Sequence, residues 1–254
     1  MEIHIVLIGL LVGLLVGLTG VGGASLLTPI LILANVNPTI AVGTDLFYNS
    51  ITKLFGTYQH FKQKSVNLQL VKYLAMGSIP GAVIAITLLK VFESFYHNQE
   101  SIIKHALGVV LIIVALATIF RQLFQHKIKE SSIQTKPIEE KKLLTILTGA
   151  LLGFIVGLTS IGSGSLFAIL MIYFFRMTAA EVVGTDIAHA FLLVTVAGLL
   201  HAGLGHVDYG LAINLLVGSI PGVLAGSYFS AKVPPRPLRT IMAGLIFISG
   251  LKLI

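Results

Sequence analysis

The sequence predicts an all-α polytopic membrane protein made of two inverted-topology repeats, each a Gly-rich helical hairpin broken near the membrane midplane plus three spanning helices. Three observations lead there. First, of 254 residues 56% are hydrophobic and only 11% charged, with a mean hydropathy of +0.96, a composition that belongs in a bilayer. Second, apolar runs such as 102–120 and 211–228 are too long and too unpunctuated for the core helices of a soluble domain. Third, the stretch Gly17-Leu-Thr-Gly-Val-Gly-Gly-Ala-Ser25 returns about 140 residues later as Gly157-Leu-Thr-Ser-Ile-Gly-Ser-Gly-Ser165. Both copies interrupt apolar sequence. Glycine and serine at that density break a helix, and inside hydrocarbon the freed N–H and C=O groups must be buried in protein or line a wet cavity.

Taken in order, the first half offers apolar segments at 3–18, 24–34, 39–59, 70–91 and 102–120, and the second repeats them at 143–158, 164–175, 180–202, 211–230 and 238–254. The opening run has no basic n-region and leads straight into the repeated motif, so it belongs to the mature fold and is not a signal peptide. Landmarks fix the register. Gly9, Gly13, Gly17, Thr19 and Gly22 match Gly149, Gly153, Gly157, Thr159 and Gly162. With one residue inserted, the Val-Gly-Thr-Asp run ending at Asp45 matches the one ending at Asp186, His60 matches His201, and Gly77-Ser-Ile-Pro-Gly81 matches Gly218-Ser-Ile-Pro-Gly222. So many matches in one order mean a tandem duplication: 1–120 and 143–254 are the repeats, and the polar stretch 121–142 is the linker between them.

Charge in the loops orients the two halves. Lys62 and Lys64 follow the third segment of the first half, whereas 201–209 in the second half has no Lys or Arg. After the fourth segment the bias reverses, with Lys232, Arg236 and Arg239 in the second half against Glu93 and Glu100 beside Lys90 and Lys104 in the first. Under the positive-inside rule, equivalent loops then face opposite sides. The basic linker 121–142 and Arg176 are cytoplasmic, so the first two segments of each half enter and leave on one side as a hairpin whose tip points into the membrane. Its second arm is too short to cross a core ~30 Å thick at ~1.5 Å per residue. The N-terminus is expected outside, in a plasma (inner) membrane protein with many passes, and two tips meeting from opposite faces is the arrangement of a transporter site.

The Gly-x-x-x-Gly rows (Gly9, Gly13, Gly17 and Gly149, Gly153, Gly157) read as close-packing scaffold. At each tip, a new helix whose first N–H groups face the break would make an anion site, with the positive end of the helix dipole behind it. The expected substrate-binding residues are Thr19, Gly20, Gly22, Gly23, Ser25 and Thr44 in the first half and Thr159, Ser160, Gly162, Ser163, Ser165 and Thr185 in the second. Asp45 and Asp186 lie about two turns into their helices, where a carboxylate costs about 2.5–3.5 kcal/mol on insertion scales. Asn49 and Lys53 continue the Asp45 face, which suits an ion pair or relay between Asp45 and Lys53. The same positions on the second helix are Ala190 and Val194, so that charge partner is not repeated, while His189 lies one turn from Thr185. Asp45, Lys53, Asp186 and His189 are therefore the expected coupling residues. His60 and His201 are placed at the membrane interface, and Pro80 and Pro221 are expected to kink or break their segments.

With the doubled tip, the Gly-Thr element about twenty residues on and the Ser-Ile-Pro-Gly segment in hand, the chain resembles the TauE/SafE sulfite exporter family of membrane permeases over nearly its whole length. The resemblance implies a carrier for small sulfur-containing or carboxylate anions, with the family's tip motif falling on 17–25 and 157–165 and its Gly-Thr element on Gly43-Thr44 and Gly184-Thr185. One departure stands out: Asp45 and Asp186 occupy the position after that Thr, where the family often carries Ser. The expected function is a secondary transporter moving a small anion by alternating access, with proton coupling as an option. A passive anion channel and a non-transporting membrane subunit are the alternatives. An intramembrane hydrolase built on Gly162-Ser-Gly164 with His189 or His201 is disfavoured because the first half has Gly23 in place of Ser163, so no enzyme is expected. The absence of cysteine removes disulfides, thiol catalysis and Cys-ligated metals, and neither a metal-ligand cluster nor a phosphate loop appears, so no cofactor is expected. The formal charge of +7 sits in short connections and reads as a topology signal rather than a nucleic-acid surface. The expected partners are the lipid bilayer and a small anionic solute, not nucleic acid, with a homodimer as one allowed assembly.

Overall fold

The computed structural model describes residues 3–19, 26–95, 99–124, 134, 136–164, 166–229 and 235–254. Among them are ten α-helices, five in each half, and no strand. The first half contains α1 (Ile3–Thr19), α2 (Leu27–Leu33), α3 (Pro38–Lys62), α4 (Leu68–Phe95) and α5 (Gln99–Phe124). A single 3₁₀ turn at Glu139–Lys141 leads into the second half, α6 (Lys142–Thr159), α7 (Leu166–Phe174), α8 (Ala179–Gly203), α9 (Tyr209–Phe229) and α10 (Pro235–Leu253). Each of the ten apolar segments is thus a helix. Among the described residues, four stretches are long and apolar enough to cross a bilayer: Leu68–Val91, Glu139–Thr159, Ala180–Gly203 and Tyr209–Gly226. Large apolar side chains such as Ile84, Leu147, Leu199 and Ile220 remain exposed on their outer faces, as a lipid-facing surface requires.

The second helix of each half is short, 7 residues in α2 and 9 in α7. At ~1.5 Å per residue they reach only about 10 and 14 Å, far less than the hydrocarbon core. Both have their C-terminal carbonyls capped by a lysine: Lys252 Nζ donates to Leu33 O at 3.2 Å and Lys141 Nζ to Phe174 O at 3.0 Å. A cation at that end offsets the negative pole of the helix dipole.

The packing exchanges the halves. Helix α1 lies on α9 and α4 on α6, while α3 packs against α8 and α5 against α10. The glycine rows make the first two contacts close. A Cβ on Gly9 or Gly13 would run into the backbone of Leu215 or Ser219, and one on Gly149 or Gly153 into the backbone of Leu74 or Ser78. On Gly157 it would lie 2.9 Å from the Cα of Ala82. Leu74 and Ser78 occupy the same places in the first half as Leu215 and Ser219 in the second, so each contact occurs twice with the partners exchanged. Close backbone approach through small residues is how helices associate where lipid offers no hydrophobic drive.

Helices α3 and α8 are equivalent segments, and they run antiparallel. Thr57 of α3 lies against Ile187, whereas Leu46, eleven residues earlier, lies against Gly198. Pro80 and Pro221 interrupt neither α4 nor α9, which continue as helix on both sides of them. The expectation of a break is corrected there. A proline removes one N–H from the ladder, and surrounding helices or hydroxyls can satisfy the freed carbonyl.

Candidate functional site

A concentration of buried polar side chains lies where α3 meets α8. Along α3, Asp45, Asn49, Lys53 and Thr57 repeat every fourth residue, which places them on one helical face, and all four are buried. Thr185, Asp186 and His189 are the buried polar residues of α8 near its start. The spacing comes from the sequence, but the burial comes from the pairing of equivalent helices.

Asp45 is the hub of this stripe. Its Oδ2 accepts the hydroxyl of Thr28 at 2.7 Å and that of Ser160 at 2.8 Å, and its Oδ1 accepts the Asn49 side-chain amide. Thr28 lies on the short helix α2 and Ser160 on the turn after α6, so one carboxylate ties together the hairpins of both halves. Ser160 ends α6 with φ +61°, in the left-handed region. A non-glycine residue held there costs on the order of 1–3 kcal/mol, and in exchange its hydroxyl is turned toward Asp45. Lys53, two turns along the same face, is 5% exposed and its Nζ has no hydrogen-bond partner among the described residues. Asp45 and Asp186 are both within its electrostatic reach. The ion pair expected between Asp45 and Lys53 is therefore an interaction at a distance, since the nearer acceptor positions of Asp45 are taken by hydroxyl and amide donors.

His189 is fully buried, pairs through Nε2 with the Ser78 hydroxyl at 2.7 Å, and lies against Phe167 with ring centroids 4.3 Å apart. In the first half the equivalent residue is Tyr48, whose hydroxyl has Ser219 as its hydrogen-bond neighbour. The Ser-Ile-Pro-Gly serines thus turn to the third helix of the opposite half, one to a histidine and one to a tyrosine. Neither histidine considered for a hydrolase is bonded to Ser163. His201 instead donates from Nε2 to Gly157 O at 3.1 Å, and the Ser163 hydroxyl is buried with no partner among the described residues.

The remaining expected residues divide into three groups. Thr44 and Thr185 accept the backbone N–H of Asp208 at 3.1 Å and of Asn67 at 3.0 Å. Each hydroxyl therefore joins a helix of one half to the turn before α9 or α4 in the other, and both are engaged in equivalent places. Thr159 spends its hydroxyl on its own turn, donating to Ile155 O at 2.7 Å and accepting from the N–H of Ile161 at 3.2 Å. Gly162 has φ +100°, and its carbonyl takes the first N–H of α7 at 3.2 Å, so one of the amides expected to face the break is already bonded. Gly20, Gly22, Gly23, Ser25 and Ser165, and the side chain of Thr19, lie outside the described residues. His60 is half-buried, with Nδ1 2.9 Å from Ser65 Oγ, whereas His201 is fully buried. It is drawn inward by the free carbonyl at the end of α6.

Thr28 and Ser78 complete the polar set and were not singled out by the sequence reading as site residues. Thr28 had one available signal, being the only hydroxyl in α2; Ser78 had its place in the repeated Ser-Ile-Pro-Gly segment. No metal-ligating group of three or more acidic, His or Cys side chains occurs among the described residues.

Comparison with known proteins gives a consistent picture. The family model described as Sulfite exporter TauE/SafE matches residues 5–253. A Bacillus subtilis (strain 168) protein named as a probable membrane transporter, YjnA, is 63% identical over 254 residues, covering 100% of both chains. A second from the same organism, YunE, is 26% identical over 268 residues, covering 98% of this chain and 96% of its own. A probable membrane transporter protein of Methanocaldococcus jannaschii is 25% identical over 269 residues, covering 97% and 93%. No solved structure matches the chain.

Proposed function

This chain belongs to the TauE/SafE sulfite exporter family, and from that premise we propose that it is a secondary transporter carrying a small anion across the plasma (inner) membrane by alternating access. The cargo class is sulfite, an organosulfonate or a related sulfur-containing or carboxylate anion, and proton coupling runs through the acidic residues of α3 and α8. The observation that carries this reading is the buried Lys53 ammonium without a hydrogen-bond acceptor among the described residues. A donor-only cation out of water is costly unless an anion meets it. The hydroxyls of Ser160 and Ser163 at the second tip are further donors suited to the same charge.

Alternating access is supported by the way the halves exchange contacts. The duplicated glycine contacts and the reciprocal Thr44 and Thr185 bonds are those of a two-fold relation. Because the equivalent helices α3 and α8 run antiparallel, an axis relating them lies across the helices, which favours halves of inverted topology. The loop-charge bias favours the same arrangement, with the N-terminus outside and the linker 121–142 cytoplasmic.

The test is uptake of labelled sulfite or methanesulfonate by purified protein in liposomes. A carrier gives saturable flux and counterflow, and Lys53→Met removes both. Full transport by Lys53→Met would take the lysine out of the mechanism, and flux that never saturates or shows counterflow would indicate a pore.

A further inference from the structure

Asp45 holds the donors that an incoming anion needs. Two hydroxyls, one from each half, converge on a single carboxylate oxygen, and a charged donor on the same helical face, Lys53, has no hydrogen-bond acceptor among the described residues. The set is not duplicated: the places equivalent to Thr28, Ser160, Asn49 and Lys53 are Ala168, Gly20, Ala190 and Val194. A carboxylate is itself an anion, of the same class of charge and hydrogen-bonding need as a sulfonate or sulfite. We propose that Asp45 is a built-in stand-in for the transported anion: its carboxylate occupies the Thr28 and Ser160 hydroxyls until it takes up a proton, and the cargo then takes its place beside Lys53.

This deepens the anion-carrier reading and rests on it. The exchange balances in charge and protons. With the site empty, the Asp45 carboxylate faces the Lys53 ammonium; with the site filled, Asp45 is a neutral acid that has taken one proton from water, and a monoanion faces the same ammonium. For a monoanion, one proton enters with one negative charge, so filling the site leaves its net charge unchanged and avoids an added buried charge, which in a low dielectric is the costly state.

The other ionisable groups around Asp45 are few. Its own helix carries Tyr48 and Lys53. Of the helices packed on α3, α8 carries Glu181, Asp186, His189 and the buried His201, α9 carries Tyr209, α5 carries Lys104 and His105, and α2 carries none among the described residues. Tyr48 and Lys53 are the groups that feel the Asp45 charge. Asp186 and His189 act on Lys53, so a proton on either could also alter the lysine's attraction for an anion. The variant at Asp45 separates that effect from the exchange.

The experiment measures anion binding by thermal shift of the full chain in detergent, with methanesulfonate as the probe because it stays a monoanion between about pH 5.5 and pH 8. For one linked proton, affinity in the wild type strengthens on acidification by up to about tenfold per pH unit. Asp45→Asn, which keeps the size and an acceptor but not the charge, should bind with the acid-form affinity at both pH values. Ser160→Ala keeps Asp45 and removes a shared donor, so it should weaken binding at the acid pH by about tenfold, the loss of one hydrogen bond to a charged group. Retention of the full wild-type pH dependence in Asp45→Asn would overturn the proposal, as would unchanged acid-pH affinity in Ser160→Ala. Should Asp45→Asn fail to fold, the Ser160→Ala result decides alone. An absence of any anion effect in wild type and variants at both pH values would overturn the anion-carrier reading itself, a result distinct from anion binding that is insensitive to Asp45.

Discussion

The scaffold of this protein is written twice and its chemistry once. The paired glycine rows, the Thr44 and Thr185 clasps and the serines of the two Ser-Ile-Pro-Gly segments occur in both halves and make equivalent contacts. Around the two aspartates the halves part company, since Thr28, Asn49, Lys53 and Ser160 have no polar counterparts in the other half. The physical reason is that the two sets answer to different demands. Close helix packing must be satisfied at every repeated contact, whereas the proposed anion would need only one set of charges, and repeating a buried cation would add its desolvation cost again.

That contrast can be sharpened by substitution. The largest effect should come from the unduplicated set: Lys53→Met removes the buried cation within reach of Asp186 and Asp45, so liposome uptake of labelled methanesulfonate should fall more than about a hundredfold, and leaving those carboxylates without it should also lower stability in detergent by about 3–5 kcal/mol. Next comes the scaffold. Gly153→Ala drives a methyl group into the backbone of Ser78 and should lower stability by about 1–3 kcal/mol, the cost of overpacking, and Gly13→Ala against Ser219 should match it. Unequal losses there would mean that the halves bear packing strain differently.

A smaller and again matched effect is expected of Thr44→Val and Thr185→Val. Each loses one hydrogen bond across the halves, worth about 0.5–1.5 kcal/mol, and the double variant should lose the sum, because the two sites share no partner. The smallest effect belongs to a glycine outside the pattern. Gly244 has nothing within 4 Å of a Cβ, so Gly244→Ala should leave transport unchanged and stabilise the helix by about 0.5–1 kcal/mol. Destabilisation at Gly244 would mean that something packs there in the membrane, a second copy of the chain being one candidate that crosslinking could check.

Much of the fold was legible in the chain because it rests on local and repeated signals. Composition separated bilayer from water, apolar run length marked ten helices, and the recurrence of Gly17 to Ser25 at Gly157 to Ser165 set the register between halves. The short arms were also readable, since 7 and 9 residues of helix cannot span hydrocarbon whatever surrounds them. Less of the site was legible. The Asp45, Asn49 and Lys53 stripe follows from helical spacing alone. Thr28 does not: one hydroxyl in an apolar arm has no spacing relation to an aspartate 17 residues away. His201 gave the opposite lesson, since a position at a helix end suggested an interface, yet a free carbonyl from a helix 44 residues away draws it inside.

The amino-acid order by itself determined that this chain is helical, membrane-embedded and duplicated, because hydropathy, helix breaks and internal repetition are properties of segments read one at a time. Only the tertiary structure decided which polar groups meet. The antiparallel seating of α3 on α8 and the turn at Ser160 bring donors from both halves onto Asp45, and contacts between distant segments depend on how helices pack, for which spacing along the chain carries no signal.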